Sequence, residues 1–342
     1  MAEQADHGSR VAPIAVVGAG SWGTALALHI ARRGVPVVLW ARDAQQIEEM
    51  RVQRRNPRYL PEAKFPEMLL VEADIRAAVS GCRDLLLAVP SHAFRHTLER
   101  IAKHARNDSR IAWATKGIEL ETGKLPHQVA AQVLGDSLPF AVLSGPTFAK
   151  EVAAGLPTAL TVASTNPEFA LDLARRLSDD KFRAYTSTDV VGVEVGGAVK
   201  NILAIAAGLS DGLGFGANTR VALITRGLWE MTRLGVALGA RPETFMGLAG
   251  LGDLVLTCTD NLSRNRRFGL EVAAGMDIEQ AQRNIGQVVE GVHAAKAVHQ
   301  VARRLNVDMP ISKQLYQVLW EGAKPADVVK TLMLREIRSE HD

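Results

Sequence analysis

The chain has 342 residues, 47% hydrophobic and 23% charged, an ordinary composition for a globular protein with room for two hydrophobic cores. Its 40 basic and 37 acidic side chains nearly balance at a net charge of +3, so charge alone indicates no nucleic-acid surface. No uncharged apolar stretch reaches the ~18 residues of a membrane span. We therefore expect no integral membrane segment. Two distant cysteines, Cys82 and Cys258, show neither disulfide nor metal-site spacing, which favours a cytoplasmic, metal-free protein.

Residues 11–42 predict a strand, a tight turn, a helix and a second strand in succession. The apolar run 11–17 is followed by the glycine cluster 18–23 and by apolar residues at helical spacing over 25–30. Strand-like residues return over 35–40. A G-x-G-x-x-G cluster between a strand and a helix is typical of dinucleotide-binding sites and far more specific than the same cluster alone.

If the cluster binds a dinucleotide, each of its three glycines has a distinct structural role. Gly18 allows the tight turn, Gly20 lets the backbone approach a pyrophosphate, and Gly23 lets the helix and the strand pack closely. The helix N-terminus that follows offers unpaired N–H groups to the phosphates. The alternative is a glycine-rich turn that binds no nucleotide.

The end of the second strand bears on the choice of cofactor. An acidic residue there would bind the ribose 2′-OH of NAD, but Arg42 stands at about that position, where a guanidinium could bind a 2′-phosphate. We therefore expect NADPH as the preferred cofactor and NADH as the lesser one. Asp43 follows immediately, and the alternative is a solvated Arg42 paired with it.

The first half of the chain alternates strand and helix patterns. Further strand patterns cover residues 85–89, 110–114, 140–143, 158–163 and 182–186. Helical patterns between them include residues 93–105, 126–134 and 167–177. This alternation predicts a mostly parallel sheet with helices on both faces, whose ligands bind at the carboxyl ends of the strands.

The second half is predicted to be helical throughout. From about residue 190 the strand patterns fade, and long apolar-periodic segments cover residues 194–209, 218–234, 267–274, 289–305 and 326–334. We therefore expect two domains, an α/β domain over residues 1–190 and an all-α domain over residues 191–342.

Two charged residues stand out within apolar segments of the second half. Lys200 lies in a pattern typical of a buried helix, where a lysine is costly unless paired or functional and where burial lowers its pKa towards the range of proton transfer. The alternative is a structural lysine that pairs with a carboxylate or extends to the surface. Asp253 could partner Lys200 or a substrate hydroxyl, or it could simply cap a helix.

The segment Ser263-Arg264-Asn265-Arg266-Arg267 places three guanidinium groups beside two neutral hydrogen-bonding side chains. Because it precedes a helical pattern, we interpret it as a phosphate site built from side chains and helix N–H groups. The alternative is a solvated basic start of a helix.

The strand ends add further candidates. Lys116 follows one strand, and Gly145 and Thr147 lie in a tight turn after another, where a backbone N–H and a hydroxyl are offered. Three glutamates are candidates whose ordinary interpretation is a surface or structural pair: Glu151, Glu194 and Glu290.

These motifs together resemble bacterial NAD(P)-dependent glycerol-3-phosphate dehydrogenases over essentially the whole chain. The matching stretches are residues 18–23, 114–117, 144–152, 194–226, 247–259, 263–269 and 289–291. The resemblance implies a Rossmann-type doubly wound sheet followed by an all-α domain, with the active site between them. It also implies a reversible reduction of dihydroxyacetone phosphate to sn-glycerol 3-phosphate that supplies glycerophospholipid synthesis.

The resemblance assigns roles to individual positions. Lys200 is implied as the proton acceptor in the oxidative direction, with Asp253 keeping it charged and oriented. Beyond the three glycines, the implied cofactor contacts are Ser21, Trp22, Arg42, Lys116, Ala149, Arg264, Val288 and Glu290. The implied substrate contacts are Lys116, Gly145, Thr147, Lys200, Asp253, Ser263, Arg264 and Asn265.

Two other functions remain open from the sequence. One is another two-domain NADP-dependent hydroxyacid or hydroxyacyl dehydrogenase, for which His92 would be the acid–base candidate although it lacks an obvious partner. The other is a non-catalytic NADP sensor, which would have no reason to combine Lys200, Asp253 and the segment 263–265. The sequence does not fix the oligomeric state, and a homodimer through the helical half is the working expectation.

Overall fold

The protein is described by a computed structural model that covers residues 12–135, 137–334 and 339. Residue 11, the first of the first predicted strand, lies outside the described residues, as do the N-terminal end of the first predicted domain and the C-terminal end of the second. The strands in chain order are β1 (Ile14–Val17), β2 (Val37–Trp40), β3 (Arg55–Asn56), β4 (Leu60–Lys64), β5 (Leu69–Glu72), β6 (Asp84–Leu87), β7 (Arg110–Trp113), β8 (Phe140–Ser144), β9 (Thr158–Ala163) and β10 (Phe182–Ser187).

Eight of these strands form one sheet in the order β10-β9-β8-β7-β6-β1-β2-β5. Neighbouring strands pair in parallel except β8 and β9, which pair in antiparallel fashion. The central strands β1 and β6 are buried along their whole length because helices cover both faces of the sheet. The predicted doubly wound sheet is confirmed, with β9 and β10 as the exception to its parallel direction.

Helices connect the strands of this sheet. They are α1 (Ser21–Arg32), α2 (Ala44–Gln53), α3 (Ile75–Ser80), α4 (Phe94–Ala102), α5 (Pro126–Leu134), α6 (Ala149–Ala154) and α7 (Pro167–Leu177), with a 3₁₀ turn at Ser91–Ala93. The strands β3, β4 and β5 were not predicted from the sequence. β3 and β4 form a separate antiparallel hairpin, and β5 is an edge strand of the sheet.

The remaining described residues are helical, as predicted. They form α8 (Val190–Gly212), α9 (Ala217–Ala237), α10 (Asp253–Thr259), α11 (Arg264–Ala273), α12 (Ile278–Ile285), α13 (Glu290–Arg304), α14 (Pro310–Trp320) and α15 (Pro325–Met333). A 3₁₀ turn at Pro242–Met246 and a short π-helix at Leu248–Gly252 precede α10. The division at residue 190 stays a prediction, since α8 also contacts β8 and β9.

Helix α8 is the centre of the helical part, packed among α9, α10, α11, α13 and α14. By length and composition it is the one helix among the described residues that could cross a membrane, but 89% of its most apolar window is buried inside the protein. It also carries the buried charges Glu194 and Lys200. These features are those of a core helix.

Helices α8 and α11 approach so closely that their backbones touch. A Cβ atom on Gly208 would lie 2.1 Å from the Arg266 carbonyl oxygen, and one on Gly269 would lie 2.2 Å from the Ile205 carbonyl oxygen. This contact brings the first turn of α11 beside the middle of α8, where Asn265 Nδ2 donates to Asn201 Oδ1 at 2.9 Å. Residues from two distant segments thus meet next to Lys200.

Candidate active site

The turn after β1 has the geometry that the glycine pattern predicts. Gly18 has φ +118°, and a Cβ atom there would lie 2.6 Å from the Ala88 carbonyl oxygen. A Cβ atom on Gly23 would lie 1.8 Å from the Gly18 carbonyl oxygen, so strand and helix pack without room for a side chain. A Cβ atom on Gly20, in contrast, would have no described atom within 4 Å, so this glycine faces open space.

The start of α1 beyond this turn fits an anionic group. Gly20 caps the helix without a side-chain hydrogen bond, and its first turn contains no acidic residue. Among the described residues, the buried Trp22 Nε1 also has no hydrogen-bond partner. Free N–H groups at the positive end of a helix suit a pyrophosphate, so these residues fit a dinucleotide cofactor.

A cleft of about 1260 Å³ extends from this turn to α8 and α11. This exceeds the roughly 300–1,000 Å³ of common small-molecule pockets, leaving room for a dinucleotide beside a small substrate. The predicted site residues that line it are Gly18, Gly20, Ser21, Trp22, Arg42, Lys116, Thr147, Ala149, Lys200, Asp253, Ser263, Arg264, Asn265, Val288 and Glu290. Gly23 and Gly145 do not line it.

Gly145 lies immediately behind the cleft wall. Its carbonyl oxygen accepts from Lys116 Nζ at 3.4 Å and from Thr147 Oγ1 at 3.2 Å. The turn after β8 therefore orients two cleft-lining side chains, while Gly145 itself packs against Leu160.

The centre of the cleft holds two lysines on one carboxylate. Lys200 Nζ lies 2.5 Å from Asp253 Oδ1, and Lys116 Nζ lies 2.7 Å from Asp253 Oδ2. Lys200 also donates to Thr257 Oγ1 at 2.9 Å. Asp253 is the first residue of α10, and its carboxylate binds both lysines. The alternative that Asp253 only caps a helix is therefore wrong.

The charges of these three groups are interdependent. Burial lowers the pKa of Lys200 to about 8, and the charge of Lys116 acts in the same direction, against the opposing effect of Asp253. Burial by itself would raise the pKa of Asp253, but the charges of Lys116 and Lys200 overcome it and lower that pKa. The result is an ionised carboxylate beside a lysine that can exchange its proton near neutral pH.

The basic segment at the start of α11 divides between two environments. Ser263 caps the helix through Oγ, which accepts from the Arg266 N–H at 3.2 Å. The Arg266 guanidinium turns away from the cleft to a buried ion pair with Asp211 at 2.5 Å. The expectation of three guanidinium groups at one phosphate site is therefore wrong, because only Arg264 and Arg267 line the cleft.

Arg264 has the features of an anion-binding group. Burial lowers its pKa, and its hydrogen-bond partner among the described residues is the neutral Gln287, whose Oε1 lies 3.2 Å from Arg264 Nη1. A largely buried cation without a carboxylate at hydrogen-bond distance is costly, and a bound phosphate would offset that cost.

Asn265 and Glu290 are each held by a backbone contact. The N–H of Gly291 donates to Asn265 Oδ1 at 2.9 Å. Glu290 accepts from the Ser91 N–H at 3.2 Å and from Ser91 Oγ at 2.7 Å. Ser91 follows β6, so this carboxylate ties the start of α13 to an exit of the sheet. No local sequence pattern indicated that Ser91 would be the partner of Glu290.

Arg42 is exposed and takes part in no ion pair within the described part of the chain. Asp43 instead caps α2, since its Oδ1 accepts the N–H groups of Gln45 at 3.0 Å and Gln46 at 3.2 Å. The alternative of an ion pair between Arg42 and Asp43 is therefore wrong. Both side chains line the cleft.

His92 lies in the cleft, whereas Glu194 lies outside it. The His92 ring lines the cleft 6.0 Å from the ring of His293 and has no carboxylate partner among the residues that the structure covers. Glu194 is buried outside the cleft, where it accepts from His127 Nδ1 at 2.6 Å and from Trp113 Nε1 at 3.1 Å. Neither arrangement forms a histidine–carboxylate pair in the cleft.

Comparison with known proteins identifies the family in both halves of the chain. Residues 13–170 match the family described as NAD-dependent glycerol-3-phosphate dehydrogenase N-terminus, and residues 189–330 match its C-terminus. The glycerol-3-phosphate dehydrogenase [NAD(P)+] of Vibrio cholerae is 54% identical, covering 99% of this chain and 100% of the relative. The enzyme of the same name from Klebsiella pneumoniae is 56% identical, covering 96% and 97%.

A solved structure agrees with this assignment. The crystal structure of glycerol-3-phosphate dehydrogenase from Coxiella burnetii superposes with a TM-score of 0.93 at 49% identity, covering 95% of this chain and 99% of that one. With both halves matched, and with relatives above half identity over nearly the full length, the chain belongs to the NAD-dependent glycerol-3-phosphate dehydrogenase family.

Proposed function

We propose that the chain catalyses the reversible NAD(P)H-dependent reduction of dihydroxyacetone phosphate to sn-glycerol 3-phosphate. The observation that carries the proposal is the buried Lys200, held by Asp253 in the cleft that begins at the glycine turn. The names of the relatives support the same reaction. A non-catalytic sensor would gain nothing from an expensive buried lysine with a lowered pKa.

Lys200 is the proposed acid–base residue. When bound, the nicotinamide cofactor supplies the hydride for reduction and accepts it for oxidation. In reduction, protonated Lys200 stabilises negative charge on the substrate oxygen and gives it the proton that completes the hydroxyl. In oxidation, neutral Lys200 accepts that proton. Its pKa of about 8 leaves both protonation states accessible near neutral pH.

Asp253, Thr257 and Lys116 position this lysine. Asp253 offsets part of the desolvation cost of the charged lysine, and Thr257 fixes the direction of the Nζ group through its hydroxyl. Lys116 approaches the same carboxylate from the sheet side of the cleft. We propose that it contacts substrate together with Thr147, as the resemblance implies, while Gly145, the third substrate contact that the resemblance implies, orients both side chains from behind the cleft wall.

The substrate phosphate is assigned to the start of α11. Ser263, Arg264 and Asn265 line the cleft close to Lys200, and Arg264 has no anionic partner at hydrogen-bond distance among the described residues. Because the substrate is small, its phosphate must supply much of the binding energy that aligns the carbonyl. The proposed cofactor contacts are Ser21, Trp22, Arg42, Lys116, Ala149, Arg264, Val288 and Glu290, with the glycine turn.

Three finer assignments complete the proposal. We infer a preference for NADPH over NADH from Arg42, whose guanidinium faces the cleft without a carboxylate partner among the described residues. We also infer a soluble cytoplasmic enzyme whose product enters glycerophospholipid synthesis. The homodimer stays a prediction.

The test follows the absorbance of NADPH and, in parallel, of NADH with purified protein and dihydroxyacetone phosphate. We expect oxidation that requires the phosphorylated ketone and runs faster with NADPH at equal low concentrations. Unphosphorylated dihydroxyacetone is the matched control and should be reduced far more slowly. Binding of NADPH without any oxidation would overturn the proposed reaction, and equal use of both cofactors would overturn the preference.

A further inference from the structure

A second arginine is fixed beside the strand end that carries Arg42. Arg100, in the last turn of α4, lies with its Cζ atom 5.0 Å from the centroid of the Trp40 ring. Trp40 is the last residue of β2, and its Nε1 donates to the Ala73 carbonyl oxygen at 2.9 Å. The indole is thus immobilised, and it in turn holds the guanidinium at the end of β2.

Arg100 and Arg42 face the same cleft. Within the described part of the chain neither takes part in an ion pair. Asp43, which follows Arg42, caps α2, and Glu99, which precedes Arg100, lies 3.9 Å from His96 Nδ1. Two guanidinium groups therefore line the cleft near the end of β2, and neither forms an ion pair with a described carboxylate. This arrangement favours an anionic ligand group there.

The position over the Trp40 ring suits Arg100 to this role. A guanidinium held over an aromatic face can still donate N–H groups to an anion, and the contact reduces the side-chain freedom lost on binding. A phosphate monoester carries close to two negative charges and accepts bidentate hydrogen bonds from such donors. The binding of a neutral ribose 2′-OH would be strengthened much less by a second cation.

We propose that Arg100 is a specificity-determining residue that binds the 2′-phosphate of NADPH together with Arg42. The inference rests on the proposed function for the identity of the cofactor, but it concerns only the adenosine end of the cleft. It assigns a residue of α4 to the recognition of the nucleotide. An adenine ring that stacks on Arg100 is the competing occupant, and it would make Arg100 indifferent to the 2′-phosphate.

The experiment measures binding by calorimetry with 2′,5′-ADP, which carries the 2′-phosphate, and with 5′-AMP, which lacks it. Arg100→Met keeps the apolar stem on Trp40 and removes the charge, while Arg100→Lys keeps the charge. Lys103→Met is the matched control, because Lys103 is an exposed cation at the end of the same helix that does not line the cleft.

We expect Arg100→Met to weaken 2′,5′-ADP by at least about tenfold, the loss of one charge-assisted contact, with 5′-AMP changed less than about twofold. Arg100→Lys should retain part of the affinity, and Lys103→Met should match the parent protein. Equal weakening of both nucleotides by Arg100→Met would overturn the inference in favour of adenine stacking. Equal binding of both nucleotides by the parent protein would also overturn it.

These readouts separate the inference from the proposed reaction. A protein that binds 2′,5′-ADP through Arg100 but never reduces dihydroxyacetone phosphate would support the inference and refute the reaction. If the parent protein reduces dihydroxyacetone phosphate and Arg100→Met keeps the same cofactor preference, the reaction is supported and the inference about Arg100 is refuted. Thermal melts of each variant show whether it is folded.

Discussion

Replacing Lys200 by methionine is the most direct test of the proposed chemistry. The substitution removes Nζ and keeps an unbranched apolar stem of similar length in the core. Asp253 still has Lys116 at 2.7 Å, so its buried carboxylate is not left without a cation. We therefore expect the loss of stability to stay below the ~3–5 kcal/mol typical of breaking a buried ion pair.

The loss of activity should be much larger. General acid catalysis contributes about 10²–10⁴-fold, and a lost donor to a developing oxyanion costs about 10²–10³-fold. Both effects act through the single Nζ atom and overlap. We expect kcat to fall by about 10³–10⁴-fold, equivalent to roughly 4–5.5 kcal/mol of transition-state stabilisation.

The assay compares kcat for dihydroxyacetone phosphate with the Kd of NADPH from fluorescence titration. Because Lys200 lies on the substrate side of the cleft beside Asp253 and Thr257, we expect the NADPH Kd to change less than about threefold. Lys313→Met, at an exposed position of α14, is the matched lysine control.

Two results would refute this reasoning. A fall in kcat of less than about tenfold would mean that another group or water transfers the proton. A large fall in kcat accompanied by an equal loss of NADPH affinity would make Lys200 a structural residue of the cleft.

Three further predictions rest on other features of the structure. Because the pKa of Lys200 is lowered to about 8, the reductive kcat/KM should fall as pH rises through about 8 and the oxidative kcat/KM should rise there; profiles flat from about pH 7 to 9 would contradict this. At saturating NADPH, Arg264→Met should raise the KM for dihydroxyacetone phosphate at least about tenfold and change the reduction of unphosphorylated dihydroxyacetone much less; a parallel loss on both would leave Arg264 as a cofactor contact only. Gly208→Val should lower the free energy of unfolding in urea by about 1–3 kcal/mol, since its Cβ would meet the Arg266 carbonyl oxygen at 2.1 Å; an unchanged midpoint would show that α8 and α11 separate freely.

The sequence predicted the parts of the fold that bury long apolar patterns. The central strands and α8 are of this kind, because a buried strand or helix needs apolar residues along most of its length. The hairpin strand Leu60–Lys64 was missed because it is polar and mostly exposed. The reversed direction of β9 was missed because parallel and antiparallel buried strands have the same apolar pattern.

The site was predictable to a similar degree. Lys200 and Asp253 each stood out as a charge in an apolar segment, and their contact was among the expected partners. That Lys116 shares the same carboxylate from 137 residues away depends on how the helices dock on the sheet, which no local pattern encodes. Arg266 was misjudged although helical spacing of about 100° per residue turns it well away from Arg264.

The carboxylate that Lys116 and Lys200 share links the pKa of Lys200 to the contact between the sheet and the helices. Lys116 follows strand β7 of the sheet, whereas Lys200 lies in α8 and Asp253 in α10, so the three charges meet where the helices pack against the sheet. If the helices and the sheet were separated, Lys200 would be hydrated and Lys116 would be farther away. The pKa of Lys200 would then rise towards its ordinary value. In the arrangement that the structure shows, the contact that lowers the pKa of Lys200 is therefore also part of what shields it from solvent.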